Sequence, residues 1–466
     1  MALPSSGFGV GGLVSGLWDE LSTLADRAVD RHLRVAVTGL RRSGKTVFIT
    51  SMVHHLLDGH GLPFLGAVHD GRYLGARIVG EDLPTAFPYR RFHAELAGEQ
   101  PHWPKATERL STLRLIIAYR TDSMVLKALQ PLQHLTVDLI DYPGEWLLDL
   151  PLMTQDFRSW SAAALQLADM PARTALARPW LDRLAATDLD GPADEAALAE
   201  LAATYTTYLR RCHHELGLSM VQPGRFTNPG DLAGSPLLQF CPMPPAEARS
   251  GSLRALAASR YEAYRSEVVE RFYREHFSRF DRQIVLLDLF ASLNAGPQHF
   301  ADTELALSTI LESFRYGSSS WLGRLFAPRI DKVLFAASKA DHVAHSQHAN
   351  LKALLERMIQ AAARRPRFSG ISIDVLALAA LRATDTVRTE HQGQVLSCVR
   401  GRLKDDNRET VLFPGEIPPD LPEPEDWTSG RFRFRDFAPR RLRPGHPNQH
   451  IRLDQAIEYL IGDKLR

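Results

Sequence analysis

Gly39-Leu40-Arg41-Arg42-Ser43-Gly44-Lys45-Thr46 has the spacing G-x-x-x-x-G-K-[ST], a loop whose residue types suit the binding of phosphate. The glycines let the backbone curl until successive N–H groups converge on an anion, and a side chain at either place would crowd it. In such a loop Lys45 reaches the β- and γ-phosphates and the Thr46 hydroxyl ligates Mg²⁺. The flanking residues agree. Leu33–Thr38 is an apolar run of strand type, and Ile49, Met52, Val53 and Leu56 recur at helical spacing behind the loop. A helix opening around Lys45, Thr46 and Val47 aims the positive end of its dipole at the phosphates. The expected ligand is a nucleoside phosphate.

Asp141-Tyr142-Pro143-Gly144 follows a second apolar run, Leu135–Ile140. A carboxylate at a strand end holds Mg²⁺ through its water shell, and a glycine three residues on offers its N–H to the γ-phosphate, so that its loop is released when that phosphate leaves. Ser338-Lys339-Ala340-Asp341 follows the apolar run Val333–Ala337. In guanine-specific NTPases an [N/T]-K-x-D string stands here: the Asp accepts two hydrogen bonds from the guanine edge, which adenine cannot donate, and the Lys lies along the base plane. Ser338 replaces the commoner Asn and braces the phosphate loop with fewer bonds. Ala380-Leu381-Arg382 follows a further strand signal, Ile373–Ala379, where Leu381 and Arg382 would approach the base.

Glu145 stands where many GTPases place a water-orienting Gln; a carboxylate there positions or deprotonates the attacking water but repels the γ-phosphate. Arg41 and Arg42 lie inside the phosphate loop, and either could serve as an arginine finger in cis; Arg42 is the catalytic candidate beside Lys45 and Glu145. A switch hydroxyl should ligate Mg²⁺ ahead of the strand Leu113–Tyr119. Thr107, Ser111 and Thr112 all qualify, with Thr107 carried forward as the metal ligand next to Thr46 and Asp141. Cys212-His213-His214-Glu215 fits no metal-binding spacing and reads as a solvated helix face.

The order phosphate loop, D-x-x-G, S-K-x-D, A-L-R resembles the GTPase class of P-loop proteins. More closely, the chain resembles the YcjX-like family of bacterial GTP-binding stress proteins. That resemblance rests on the phosphate loop, on Asp141-Tyr142-Pro143-Gly144-Glu145-Trp146-Leu147-Leu148-Asp149, and on Phe413-Pro414-Gly415-Glu416 and His450-Ile451-Arg452-Leu453-Asp454-Gln455-Ala456. It implies a Ras-like nucleotide domain interrupted by a helical insertion, binding GDP or GTP, in a family linked to envelope or phage-shock stress; the motifs themselves lead to slow Mg²⁺-dependent GTP hydrolysis and a molecular switch. A membrane-associated stress partner would follow from the same resemblance. The rival readings are an ATP-dependent ATPase or kinase, and a GDP-bound scaffold that presents its insertion to a protein partner.

The elements that must position these residues read as an α/β fold, a mostly parallel sheet with helices on both faces. Residues 1–30 form an N-terminal helical segment, with Leu21, Leu24 and Val29 among charges. Residues 31–150 are the first half of the GTPase domain and 283–390 the second, with strands at Ile284–Phe290, Val333–Ala337 and Ile373–Ala379 alternating with helices at Thr303–Phe314 and Asn350–Ala363. Between the halves, 151–282 lacks a strand pair and is rich in Ala, Leu, Glu and Arg; Tyr261, Tyr264, Val268 and Phe272 continue at helical spacing. The C-terminal extension, 391–466, carries the alternating Arg431-Phe432-Arg433-Phe434-Arg435, which reads as a half-buried surface strand. Its closing helix shares one face among Leu453, Ile457, Leu460 and Ile461.

Composition sets the outer limits. The 466 residues are 44% hydrophobic and 23% charged with net charge +1, ordinary for a globular chain, and no bulk field favours nucleic acid. Three scattered cysteines argue for a reducing compartment, and the lack of a charged start or long apolar run points to the cytoplasm.

Overall fold

A computed structural model describes residues 31–105, 109–314, 330–362, 371–446 and 449–466. The N-terminal segment 1–30 and Thr107 lie outside the described residues. The centre of the fold is a seven-stranded sheet in the order β2-β3-β4-β1-β5-β6-β7. Its strands are β1 (Arg31–Gly39), β2 (Tyr73–Val79), β3 (Ser111–Arg120), β4 (Leu132–Asp141), β5 (Arg282–Leu287), β6 (Lys332–Ala337) and β7 (Ser372–Ala377). The run from β4 through β7 is parallel, while β3 is antiparallel to both β4 and β2. The chain has the mostly parallel α/β architecture of a P-loop fold.

Helices cover both faces, so the central strands are apolar on both sides. One core takes Val35 and Val37 of β1, Ile284 and Leu286 of β5, and Leu334 of β6. Against them pack Ile49, Met52, Val53 and Leu56 of helix Lys45–Asp58, together with Leu453, Ile457, Leu460 and Ile461 of the closing helix Leu453–Ile461. The other face presents Val285, Leu287, Val333 and Phe335 to Leu307 and Ile310 of helix Pro297–Ser313 and to Leu351 and Leu354 of helix His348–Ala362.

The central segment is helical: Phe157–Ala168, Thr174–Ala185, Glu195–Arg211, and Leu253–Tyr264 running on into Glu270–Glu275. Tyr261, Tyr264, Val268 and Phe272 do share one buried face, across a wide turn at Arg265–Val269. Helical turns begin already at Gly144, and Arg282 belongs to β5. Trp160, Tyr205, Tyr261 and Tyr264 sit in the same continuous core as Val285 and Phe335, so this segment is fused to the sheet face.

The C-terminal part differs from the sequence reading in two respects. A separate three-stranded antiparallel sheet of β8 (Thr384–His391), β9 (Gln394–Arg402) and β10 (Glu409–Leu412) starts two residues after Arg382. Arg431–Arg435 alternates as expected, with Phe432 and Phe434 buried and the arginines exposed, yet no strand pairs with it. Side-chain alternation needs only extended backbone; a ladder needs a neighbour at the right distance, and Phe434 N donates to the Asn294 side chain instead.

Candidate functional site

β1 ends at Gly39, where there is room for a hydrogen and nothing more: a Cβ would collide with the Leu286 carbonyl of β5 and with Ser43 Oγ. The loop then turns through two left-handed residues, Arg42 at φ +56° and Gly44 at φ +86°, before helix Lys45–Asp58 begins. Among the described residues no side chain caps that helix start, so its first N–H groups face the loop's hollow. Thr46 is buried, and Lys45 and Val47 are half-buried. Arg41 and Arg42 diverge. Arg42 is exposed, whereas Arg41 Nη2 donates to the His214 carbonyl at 3.4 Å. Burial and then the charge of Arg42 lower the pKa of Arg41, with Glu145 opposing them.

Asp141, at the end of β4, is fully buried and in register with Val37 of β1 on one side and Ser111 of β3 on the other. Directly opposed residues of antiparallel strands share a face, so the Ser111 and Asp141 side chains lie on the same side of the β3–β4 pair. Ser111 Oγ is buried with no hydrogen-bond partner among the described residues. Gly144 lies against the phosphate loop so closely that a Cβ there would overlap the Gly39 carbonyl. The D-x-x-G turn and the phosphate loop are therefore in backbone contact.

Behind that turn the chain plunges into the helical segment. A Cβ on Gly224 would overlap the Glu145 carbonyl, and the Gly224 N–H donates to Asp149 Oδ1 at 2.7 Å. Asp149 Oδ2 accepts from Tyr264 Oη at 2.6 Å and from Arg225 N at 3.3 Å. Burial pushes the Asp149 pKa up to about 6, against the opposing pull of those bonds. The Arg225 guanidinium covers the Trp146 ring at 3.3 Å, and Trp146 Nε1 donates to the Asn228 carbonyl at 3.1 Å. A cavity of about 530 Å³ opens beside this stack, lined by Trp146, Arg225, Phe272 and His276.

The Cys212–Glu215 stretch is not a solvated face. Cys212 and His213 are buried, His213 Nε2 stands 3.4 Å from Glu145 Oε1, and only His214 and Glu215 are exposed. The stretch forms a wide turn at the end of helix Glu195–Arg211, which rotates His213 inward. The sequence reading assigned no role to His213, Gly224 or Asp149. One signal was present: an Asp between Leu148 and Leu150, four residues after Glu145, can be buried only if it is hydrogen-bonded.

At the far end of β6, Ser338 N and Oγ both donate to the Leu287 carbonyl, at 2.8 and 3.0 Å, which ties this loop to β5. Lys339, at φ +59°, places Nζ 2.5 Å from Asp288 and 3.4 Å from Asp436. Burial opposes its charge, but the two carboxylates outweigh burial and hold the ammonium pKa above its ordinary value. Asp341 is buried, and its Oδ2 accepts from Ala383 N at 2.6 Å. The same Asp341 lines a cavity of about 70 Å³ with His345, His348 and Arg382. Leu381 is core rather than surface, packed with Leu96, Leu442 and Val47 behind the phosphate loop. The fold thus gathers Gly39–Val47, Asp141, Gly144 and Glu145 into one centre. Ser338, Lys339, Asp341, Leu381 and Arg382 come together at the ends of β6 and β7.

Comparison with known proteins agrees with this arrangement. The chain matches the YcjX-like family, DUF463, over residues 33–465. It is 43% identical over 470 residues to a protein of Escherichia coli K12 named Ras-like GTPase YcjX, covering 97% of this chain and 99% of that one. It is 39% identical over 469 residues to a protein of the same name from Shewanella oneidensis MR-1, covering 95% and 96%. The phosphate loop in backbone contact with its D-x-x-G turn, on a mostly parallel sheet, thus sits in a chain that belongs to the YcjX-like family.

Proposed function

We propose that this protein binds GDP and GTP, hydrolyses GTP slowly with Mg²⁺, and works as a nucleotide-controlled switch. The observation that supports this most is the contact of Gly144 with Gly39. A γ-phosphate held by the Gly39–Thr46 loop would lie beside the Gly144 N–H, so its arrival or loss has a direct mechanical target. Lys45 would neutralise the β- and γ-phosphate charge. The names of the E. coli and S. oneidensis relatives, both called Ras-like GTPases, favour hydrolysis.

The residues fit a Mg²⁺ ion. Thr46 supplies a hydroxyl at the helix start, Asp141 a buried carboxylate, and Ser111 a buried hydroxyl on the same face, an oxygen set that suits a hard cation. Of the candidate switch hydroxyls Thr107, Ser111 and Thr112, Ser111 shares a face with Asp141 in register. The ion would neutralise charge on the phosphates. Guanine selection falls to Asp341, whose carboxylate is preset by the Ala383 N–H, with Lys339 braced between Asp288 and Asp436.

The role in a bacterial stress response, with a protein partner met through the helical segment or at a membrane, rests on family resemblance. Among the described residues no helix is long and apolar enough to cross a membrane. The decisive experiment identifies by chromatography the nucleotide carried through purification, then follows phosphate release from Mg·GTP and Mg·ATP. GDP or GTP on the protein with GTP-selective release supports this reading; adenine nucleotide overturns it; guanine nucleotide without release leaves a scaffold.

A further inference from the structure

We propose that His213 is a positioning residue for GTP hydrolysis, holding the Glu145 carboxylate for the attacking water and offsetting its charge next to the γ-phosphate. This rests on the hydrolysis reading above and on the sequence expectation that puts Glu145, next to Gly144, at the water-orienting position. A bare carboxylate there repels the phosphate oxygens. The fold meets that problem with a side chain from a distant helix.

The hydrogen-bonding pattern around the imidazole carries the argument. His213 Nε2 lies 3.4 Å from Glu145 Oε1, and Nδ1 lies 3.2 Å from the Leu218 carbonyl. A carbonyl only accepts, so the Nδ1 contact requires a hydrogen on Nδ1. A neutral ring of that tautomer turns a lone pair toward the carboxylate; the imidazolium keeps the Leu218 bond and turns a charged N–H toward Glu145 at ion-pair distance. Protonated, the pair with Glu145 is neutral overall.

The imidazole is firmly mounted. After the Cys212–Leu216 turn, Gly217 at φ +75° reverses the chain. Ser219 N and Met220 N donate to Asp302 Oδ2 at 2.6 and 3.0 Å, and Arg173 Nη2 reaches Asp302 Oδ1 at 2.5 Å. His299 Nε2 meets the Leu216 carbonyl at 3.0 Å. Helix Pro297–Ser313, which covers the sheet, thus anchors the chain that follows the ring.

Several charges face the pair. Arg41 and His214 oppose protonation of His213, and Glu145 favours it. Arg42 and Arg210 act on His214 from the outer side. Burial is the largest influence and lowers the His213 pKa, so the imidazolium gains weight below the ordinary imidazole range. In the hydrolytic step the water oxygen bonds to the γ-phosphorus while the bond to the bridging oxygen breaks. Both water protons leave on the phosphate, and the Glu145–His213 pair ends as it began. The pair's effect falls on turnover, since neither side chain is part of the phosphate loop.

The test measures GTP turnover at saturating Mg·GTP and GDP affinity for wild type, His213→Ala, Glu145→Gln and the double variant. The kcat loss in His213→Ala should deepen as pH falls below the ordinary imidazole value of about 6.5, reaching about tenfold at the acid end, while the GDP Kd stays within about twofold. In the Glu145→Gln background the same change should cost less than about twofold, because a neutral amide needs no counter-charge. The rise of kcat toward acid pH should be present in wild type and missing from both single variants. His213→Gln keeps a donor without the charge, should retain partial turnover with no acid rise, and serves if alanine fails to fold. Equal losses in both backgrounds, or an acid rise that survives His213 substitution, would overturn the proposal. Wild type that binds guanine nucleotide but releases no phosphate would instead remove the hydrolysis reading beneath it, and this inference with it.

Discussion

The Gly144 backbone rests on the Gly39 carbonyl, leaving no space for a β-carbon between them. One glycine opens the phosphate loop and the other ends the D-x-x-G turn, so two motifs far apart in the chain share one van der Waals contact. Gly144→Ala should force them apart and cost about 3 kcal/mol of stability, an overpacking penalty at a site where both neighbours are backbone. It should also weaken GTP more than GDP, since the γ-phosphate contact is the one displaced. Urea melts and nucleotide titrations read the two effects, and unchanged GTP preference would contradict the contact's role.

Lys45→Ala should abolish nucleotide binding and leave the fold intact. It deletes a charge-assisted phosphate contact from a half-buried side chain at the start of helix Lys45–Asp58, outside the packed face of Ile49, Met52, Val53 and Leu56. Circular dichroism and a fluorescent-GDP titration check both halves of that expectation. GDP affinity equal to wild type would remove the phosphate-loop assignment.

Asp341→Asn should weaken GDP and GTP by ~3 kcal/mol. The Ala383 N–H, which now donates to the carboxylate, will hold the amide oxygen inward and turn the NH₂ toward the base. That group then meets the donor edge of guanine, whereas xanthine offers an acceptor there. Xanthosine nucleotides should accordingly bind the variant better than wild type. Equal binding of GTP and ATP by the wild-type protein would show that Asp341 does not select guanine.

Asp149 should make stability fall as pH rises from about 4 to about 6. Its pKa is raised from 3.8 to about 6, so within that window the folded state keeps a proton that the unfolded chain has released. Each pH unit across it is worth about 1.4 kcal/mol, or about 3 kcal/mol in all. Asp149→Asn loses part of the bonding to Gly224, Arg225 and Tyr264, a fixed penalty, and should remove this component of the pH dependence. Urea midpoints of both proteins at several pH values measure the difference; parallel curves would rule the effect out.

The helical segment should change exposure with nucleotide state. Glu145 runs straight into it, and Gly224 packs on the Glu145 carbonyl, so movement of the D-x-x-G turn has a covalent and a packed route inward. Hydrogen exchange on 147–157 and 261–272 should differ between GDP and a non-hydrolysable GTP analogue. Identical protection at saturating ligand would mean that no switch reaches this segment.

The nucleotide centre was legible in the sequence because its parts are local. A phosphate loop depends on glycines and a lysine within eight residues, and helix Lys45–Asp58 is visible as Ile49, Met52, Val53 and Leu56 on one face. Buried parallel strands such as β5 and β6 show as continuous apolar runs. Edge strand β2 is not legible in the sequence because Gly75 and Arg77 dilute its pattern and no residue in it is fully buried. The β8–β10 sheet was hidden for a related reason: its strands are largely exposed and carry little apolar alternation. What only the tertiary structure decided are the pairings between distant segments: His213 on Glu145, Gly224 on the Glu145 carbonyl, Asp302 under the Gly217–Met220 turn, Arg41 turned to His214. Periodicity tells which face of a helix is apolar, but not what another helix will place against it. The wide turn at Cys212–Leu216 carries His213 buried rather than on a solvent face, and its end is tied to helix Pro297–Ser313 by His299, a contact that helical periodicity does not report.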